Sequence, residues 1–75
     1  MTIKLDVDKV LDARARLGLS QEDVARRSGL TAVTVARAEK DLPLRPISAR
    51  RLARGLNTTV DQLYVPREEG VTLTK

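Results

Sequence analysis

The chain has no cysteine and no histidine. Disulfide staples, the usual soft metal ligands and imidazole acid–base chemistry are therefore excluded, and most routes to catalysis go with them. Such a protein must hold together by helix packing. No long apolar run opens the chain, and Lys4, Asp6, Asp8 and Lys9 punctuate its first ten residues, so neither a signal peptide nor a membrane span is expected. The 75 residues suit one domain over 1–75, and a chain of this size buries only about 60% of its unfolded surface. That leaves little room for an enclosed substrate pocket. The carboxylates Asp6, Asp8 and Asp12 read as helix caps and dipole partners rather than as a catalytic pair. No enzyme activity, cofactor, metal or small-molecule ligand is expected.

Charge is present in excess. Fourteen basic residues against ten acidic ones give a formal net charge of +4. The excess is concentrated: Arg45, Arg50, Arg51 and Arg54 follow one another with no acid between them. Such a stretch suits a phosphate backbone. It equally suits a solvated helix face, and charge alone does not decide.

A repeated helix start carries the structural signal. An apolar residue is followed by Asp, Ser or Thr and then by an apolar residue four positions on, the pattern of an N-cap enclosed by a hydrophobic staple. It occurs as Leu5, Asp6 and Val10, as Leu19, Ser20 and Val24, as Leu30, Thr31 and Val35, and as Ile47, Ser48 and Leu52. Thr59 caps a short fifth helix containing Val60, Leu63 and Tyr64. Gly18, Gly29 and Asn57 supply the stops. The expected helices are 6–17, 21–28, 32–39, 49–56 and 60–64, an all-α fold. The ends of the chain alternate polar and apolar residues at 2–5 and 71–74, which suits short strands pairing into a β-ribbon within one chain or across two, or else frayed termini.

Residues 20–39, SQEDVARRSGLTAVTVARAE, describe two helices joined by a short turn, the unit that lays its second helix in the DNA major groove. Ala25 lets the two helices approach, and Gly29 permits the turn. Helical spacing divides the second helix into an inward face of Val35, Ala38 and Glu39 and an outward face of Ala32, Val33, Ala36 and Arg37. Small apolar groups beside one arginine suit base edges, because they meet thymine methyls and donate to guanine. A contact with another protein is the competing use of that face. Arg14 falls on the apolar stripe of the first helix with Val7, Val10, Leu11 and Leu17, where it needs a carboxylate unless it reaches solvent.

With LGLSQEDVARRSGLTAVTVARAE followed by Pro46, Leu52, Ala53, Leu56, Val60 and Leu63, the chain resembles the lambda-repressor and Cro family across residues 10–64. The resemblance implies a compact five-helix DNA-binding domain in a cytoplasmic regulator of a bacterial cell or phage-infected host. It implies that Glu39 is the partner of Arg14. It also implies that Ser20, Gln21, Thr31, Thr34, Lys40 and Arg45 touch the DNA backbone while Ala32, Val33, Ala36 and Arg37 read bases. Asp41 stands where the family commonly has glycine, and Gly55 where it commonly has alanine, the latter a loss of about 1 kcal/mol in helix propensity. The expected function is a repressor that binds a double-stranded operator as a weak homodimer through helix five and the tail, with Val60, Leu63, Tyr64, Val71 and Leu73 as contact candidates. The alternative is an antitoxin-like or partner-docking module that meets DNA only within a complex. Because the chain stops soon after the fifth helix, no sensor domain and no ligand control are expected.

Overall fold

The N-cap chemistry sets three of the five helix starts. In a computed structural model, which describes residues 1–64, the order is α1 (Val7–Leu17), α2 (Gln21–Ser28), α3 (Ala32–Ala38), α4 (Pro46–Gly55) and α5 (Val60–Leu63). Asp6 accepts from the Lys9 N–H, Ser20 from Asp23 and Thr31 from Thr34, each satisfying a donor that its helix leaves open. In α2 the exchange is mutual, since the Asp23 carboxylate also accepts from the Ser20 N–H at 3.0 Å.

The fourth start differs from expectation. Helix α4 begins at Pro46 with Arg45 at the cap position and no side-chain capping bond. Proline at the first helical position arrives with a suitable φ and has no N–H to satisfy, so the helix begins before Ser48 needs to cap it. Ile47, expected as a staple, is 44% exposed. Thr59 stands at the cap of α5 without a side-chain bond.

Left-handed residues follow the first four helices. Gly18 and Gly29 have φ of 65° and 69°, values that strain a residue with a Cβ. Asn57 takes the same conformation after α4, and so does Asp41 after α3, at φ 60° and 61°. The aspartate thus keeps the backbone turn for which glycine is the usual residue.

The core draws on every helix. Val10 from α1, Val24 and Ala25 from α2, Val35 and Ala38 from α3, Ala49, Leu52 and Ala53 from α4, and Leu63 from α5 are buried together with Leu5, Leu44 and Leu56. Leu63 is therefore a core residue and not a dimer contact, which leaves half-buried Val60 on α5 and exposed Tyr64 just after it. On α1 the stripe is narrower than expected. Leu11 and Leu17 are both 38% exposed, and Ala13 packs on the core in their place.

Helices α2 and α4 cross at a point where no larger residue fits. A Cβ on Gly55 would stand 3.1 Å from Ser28 Cα and collide with its hydroxyl. The Arg27 Nε donates to the Gly55 carbonyl at 2.8 Å across the same crossing. The glycine therefore gives up helix propensity in exchange for close approach. Ser28 Oγ is buried there without a hydrogen-bond partner among the described residues.

Among the described residues, 2–5 forms no strand. Instead, Ile3 forms an isolated antiparallel bridge with Leu44, and Asp6 donates its N–H to the Leu63 carbonyl at 2.8 Å. Buried Leu5 explains the preference, because the core already claims this segment. The expected strand at 71–74, with Val71 and Leu73, lies outside the described residues.

Candidate nucleic-acid interface

Helix α3 is short, at seven residues, so its direction must be fixed by its neighbours rather than by its own hydrogen bonds. Thr31 closes its entrance, where its hydroxyl also lies 3.1 Å from that of Thr34. The turn from α2 passes through Gly29 and returns the Leu30 N–H to the Ala25 carbonyl at 2.9 Å. Buried Val35 and Ala38 then press the inward face onto the core.

The exit of α3 is held by charge. Arg14 Nε donates to Glu39 Oε2 at 2.6 Å and Nη2 to Oε1 at 3.1 Å, a bidentate pair between α1 and the end of α3. Gln21 Nε2 donates to the same Oε1 at 2.8 Å, and Arg14 Nη1 reaches the Leu19 carbonyl at 3.0 Å. The Glu39 side chain is only 6% exposed and that of Arg14 25%. Stranding either charge is therefore expensive, while together they lock α1, α2 and α3 into one frame. The Gln21 amide was expected at the DNA backbone. One of its N–H donors goes to this internal network, a partnership that sequence spacing does not announce, while the second N–H and the amide carbonyl stay available to another partner.

The outward face has the opposite character. Val33 is 70% exposed and Arg37 is exposed, while Ala36 is half-buried. Ala32, expected on this face, is half-buried and packs partly against the core. Arg37 is not loose: its Nη2 donates to the Pro43 carbonyl at 3.1 Å. It shares an open cleft of about 420 Å³ with Thr34, Arg45 and Ser48.

The remaining expected backbone contacts divide by their present partners. The hydroxyls of Ser20 and Thr31 accept from their own helices, whereas Lys40 and Arg45 are exposed cations with no ion-pair partner among the described residues. Asp23, at the entrance of α2, is held below the ordinary carboxylate range. The Ser20 N–H is the main cause and the Ser20 hydroxyl the next; desolvation opposes them, and the Arg26 charge adds a smaller lowering. Arg26 bonds the same carboxylate. Arg50, Arg51 and Arg54 are exposed along α4.

A capped helix, a three-residue turn and a second helix anchored inside but bare outside define a helix-turn-helix. A helix-turn-helix family model matches residues 10–63. The chain belongs to this family, in its Cro and lambda-repressor form, and is a DNA-binding regulator. Comparison with curated proteins and with solved structures gave no match. The family is one of DNA-binding domains rather than enzymes. Among the described residues no helix is long and apolar enough to cross a membrane, and no group of three His, Cys, Asp or Glu is placed to hold a metal.

Proposed function

We propose that this protein is a sequence-specific transcriptional repressor of the Cro type that reads a pseudo-palindromic operator through the major groove. The observation that carries the reading is the contrast across α3, where Glu39 is fixed by two other helices while Val33 stands 70% exposed on the opposite side. An apolar side chain held outward on a rigid helix suits a thymine methyl, and Arg37 beside it suits the acceptors of guanine. Val33, Ala36 and Arg37 then read bases, with Ala32 limited to its exposed edge. Lys40 and Arg45 supply charge to phosphates, and Ser20, Gln21, Thr31 and Thr34 line the approach of the backbone.

A two-fold operator calls for a homodimer with recognition helices about 34 Å apart. Its contact would come from Val60 on α5, from Tyr64 just after it and from the tail residues Val71 and Leu73. So small a patch predicts weak association in solution, with DNA supplying much of the coupling.

The test is selection of duplexes from a random pool by the isolated chain, followed by titration at two salt concentrations. Enrichment of a repeated half-site, with affinity falling steeply with salt, is the expected result. Binding to DNA only after a partner protein is added would favour the alternative, in which exposed Val33 serves a docking module.

A further inference from the structure

Arg37 is tied twice to the segment that follows α3. Its carbonyl accepts from the Leu42 N–H at 3.0 Å, and its guanidinium donates to the Pro43 carbonyl at 3.1 Å. That carbonyl does not belong to a free loop. The next residue, Leu44, is buried and exchanges two backbone bonds with Ile3: Ile3 N–H to the Leu44 carbonyl at 2.7 Å, and Leu44 N–H to the Ile3 carbonyl at 2.8 Å. Ile3 packs against the core in turn. Lys4 and Asp41 stand 4.0 Å apart across the same junction, but both are about half exposed, so their pairing contributes little. The mechanical connection therefore runs from Ile3 through Leu44 and the Pro43 carbonyl to the Arg37 guanidinium.

We propose that Ile3 is a positioning residue for base selection, because its bridge to Leu44 fixes the carbonyl that orients Arg37. This rests on the reading of Arg37 as a base reader. An arginine that must be ordered on binding loses rotamer freedom, and ordering it beforehand removes part of that cost. A guanidinium carries five N–H donors. Giving one to Pro43 leaves others for the two major-groove acceptors of guanine. The benefit falls only on DNA that offers both acceptors at that position, so Ile3 acts on discrimination rather than on general affinity. Ile3 need not touch DNA.

The decisive variant is Ile3→Pro, which removes the N–H donated to Leu44 and keeps an apolar ring; Ile3→Gly is a milder version that keeps the donor and loosens the backbone. The probes are the duplex recovered by random-pool selection and the same duplex changed at the base pair where Arg37→Ala loses selectivity. Ile3→Pro is expected to reduce discrimination between them by about 3-fold, the scale of one modest hydrogen bond, with unchanged salt slope and helical content. In an Arg37→Ala background it is expected to add nothing. Without DNA, 15N relaxation at Arg37 Nε is expected to show an ordered side chain in the parent and a mobile one in both Ile3 variants.

Full discrimination in both Ile3 variants, with Arg37→Ala still losing it, would overturn the proposal and leave the base-reading role intact. Equal weakening on both duplexes would overturn it as well. If the parent prefers no sequence, the repressor reading fails, and unchanged relaxation at Arg37 on altering Ile3 would then overturn the positioning role by itself.

Discussion

On the inner side of α3, Glu39 accepts three hydrogen bonds from side chains on α1 and α2, whereas on the outer side Val33 has no cover and Arg37 makes one side-chain bond to a loop carbonyl. The inner groups are consumed by partners inside the protein, so changing them disturbs the frame. The outer groups have little internal work, so changing them alters what the helix presents and leaves the frame standing. One short helix thereby separates the problem of being held from the problem of reading.

The largest effect expected from breaking this contrast is that of Glu39→Ala. It leaves the Arg14 guanidinium partly buried without its carboxylate, for a loss of about 3 kcal/mol, the low end for breaking a buried pair because Arg14 keeps some exposure. Urea unfolding measures it. Combining the change with Arg14→Leu should recover part of the loss, since no charge is then stranded; independent, additive effects would mean that the pair does not act as a unit.

On the outer side, Arg37→Ala is expected to cost about 1 to 2 kcal/mol of affinity for the preferred duplex and little for random DNA, with stability near that of the parent. Lys40→Ala sharpens the distinction. It should weaken both duplexes alike and lower the salt slope by about one unit, so titrations at several salt concentrations separate a base reader from a phosphate contact.

The smallest effect belongs to the entrance of α2. Because the folded Asp23 carboxyl is held below its ordinary value, its stabilising contribution is present above the unfolded pKa of about 4 and fades as pH falls through the lower folded value. Thermal melts of the parent and of Asp23→Asn should therefore differ above about pH 4 and converge below it. A difference that persists to low pH would assign the effect to shape rather than charge.

How much of this was legible in the sequence depends on the range of each interaction. Asp6, Ser20 and Thr31 announce their helices because a cap acts within three residues, and Gly18 and Gly29 announce stops for the same local reason. Ser48 misled because Pro46, two residues earlier, also starts helices and takes precedence. Leu11 and Leu17 are more exposed and Leu63 more buried than their spacing implies, because periodicity gives a face but not its depth of burial. The pairing of Arg14 with Glu39 came from family resemblance. Nothing in the spacing announces Gln21 on Glu39, Arg37 on Pro43 or Ile3 on Leu44, since each joins segments that only the folded chain brings together. Gly55 reads as a weak point in α4 because the sequence does not announce that Ser28 packs against it.

The central claim, that the inner side of α3 holds and the outer side reads, is tested most directly by changing the outer side alone. A chain carrying Val33→Gln, Ala36→Ser and Arg37→Gln would be taken through the same random-pool selection and the same urea melt as the parent. None of the three side chains belongs to the Glu39 network, and only Ala36 is half-buried, so the account predicts a melt within about 1 kcal/mol of the parent, well short of the loss expected for Glu39→Ala, and a different enriched half-site. The parent half-site recovered unchanged from that selection would contradict it.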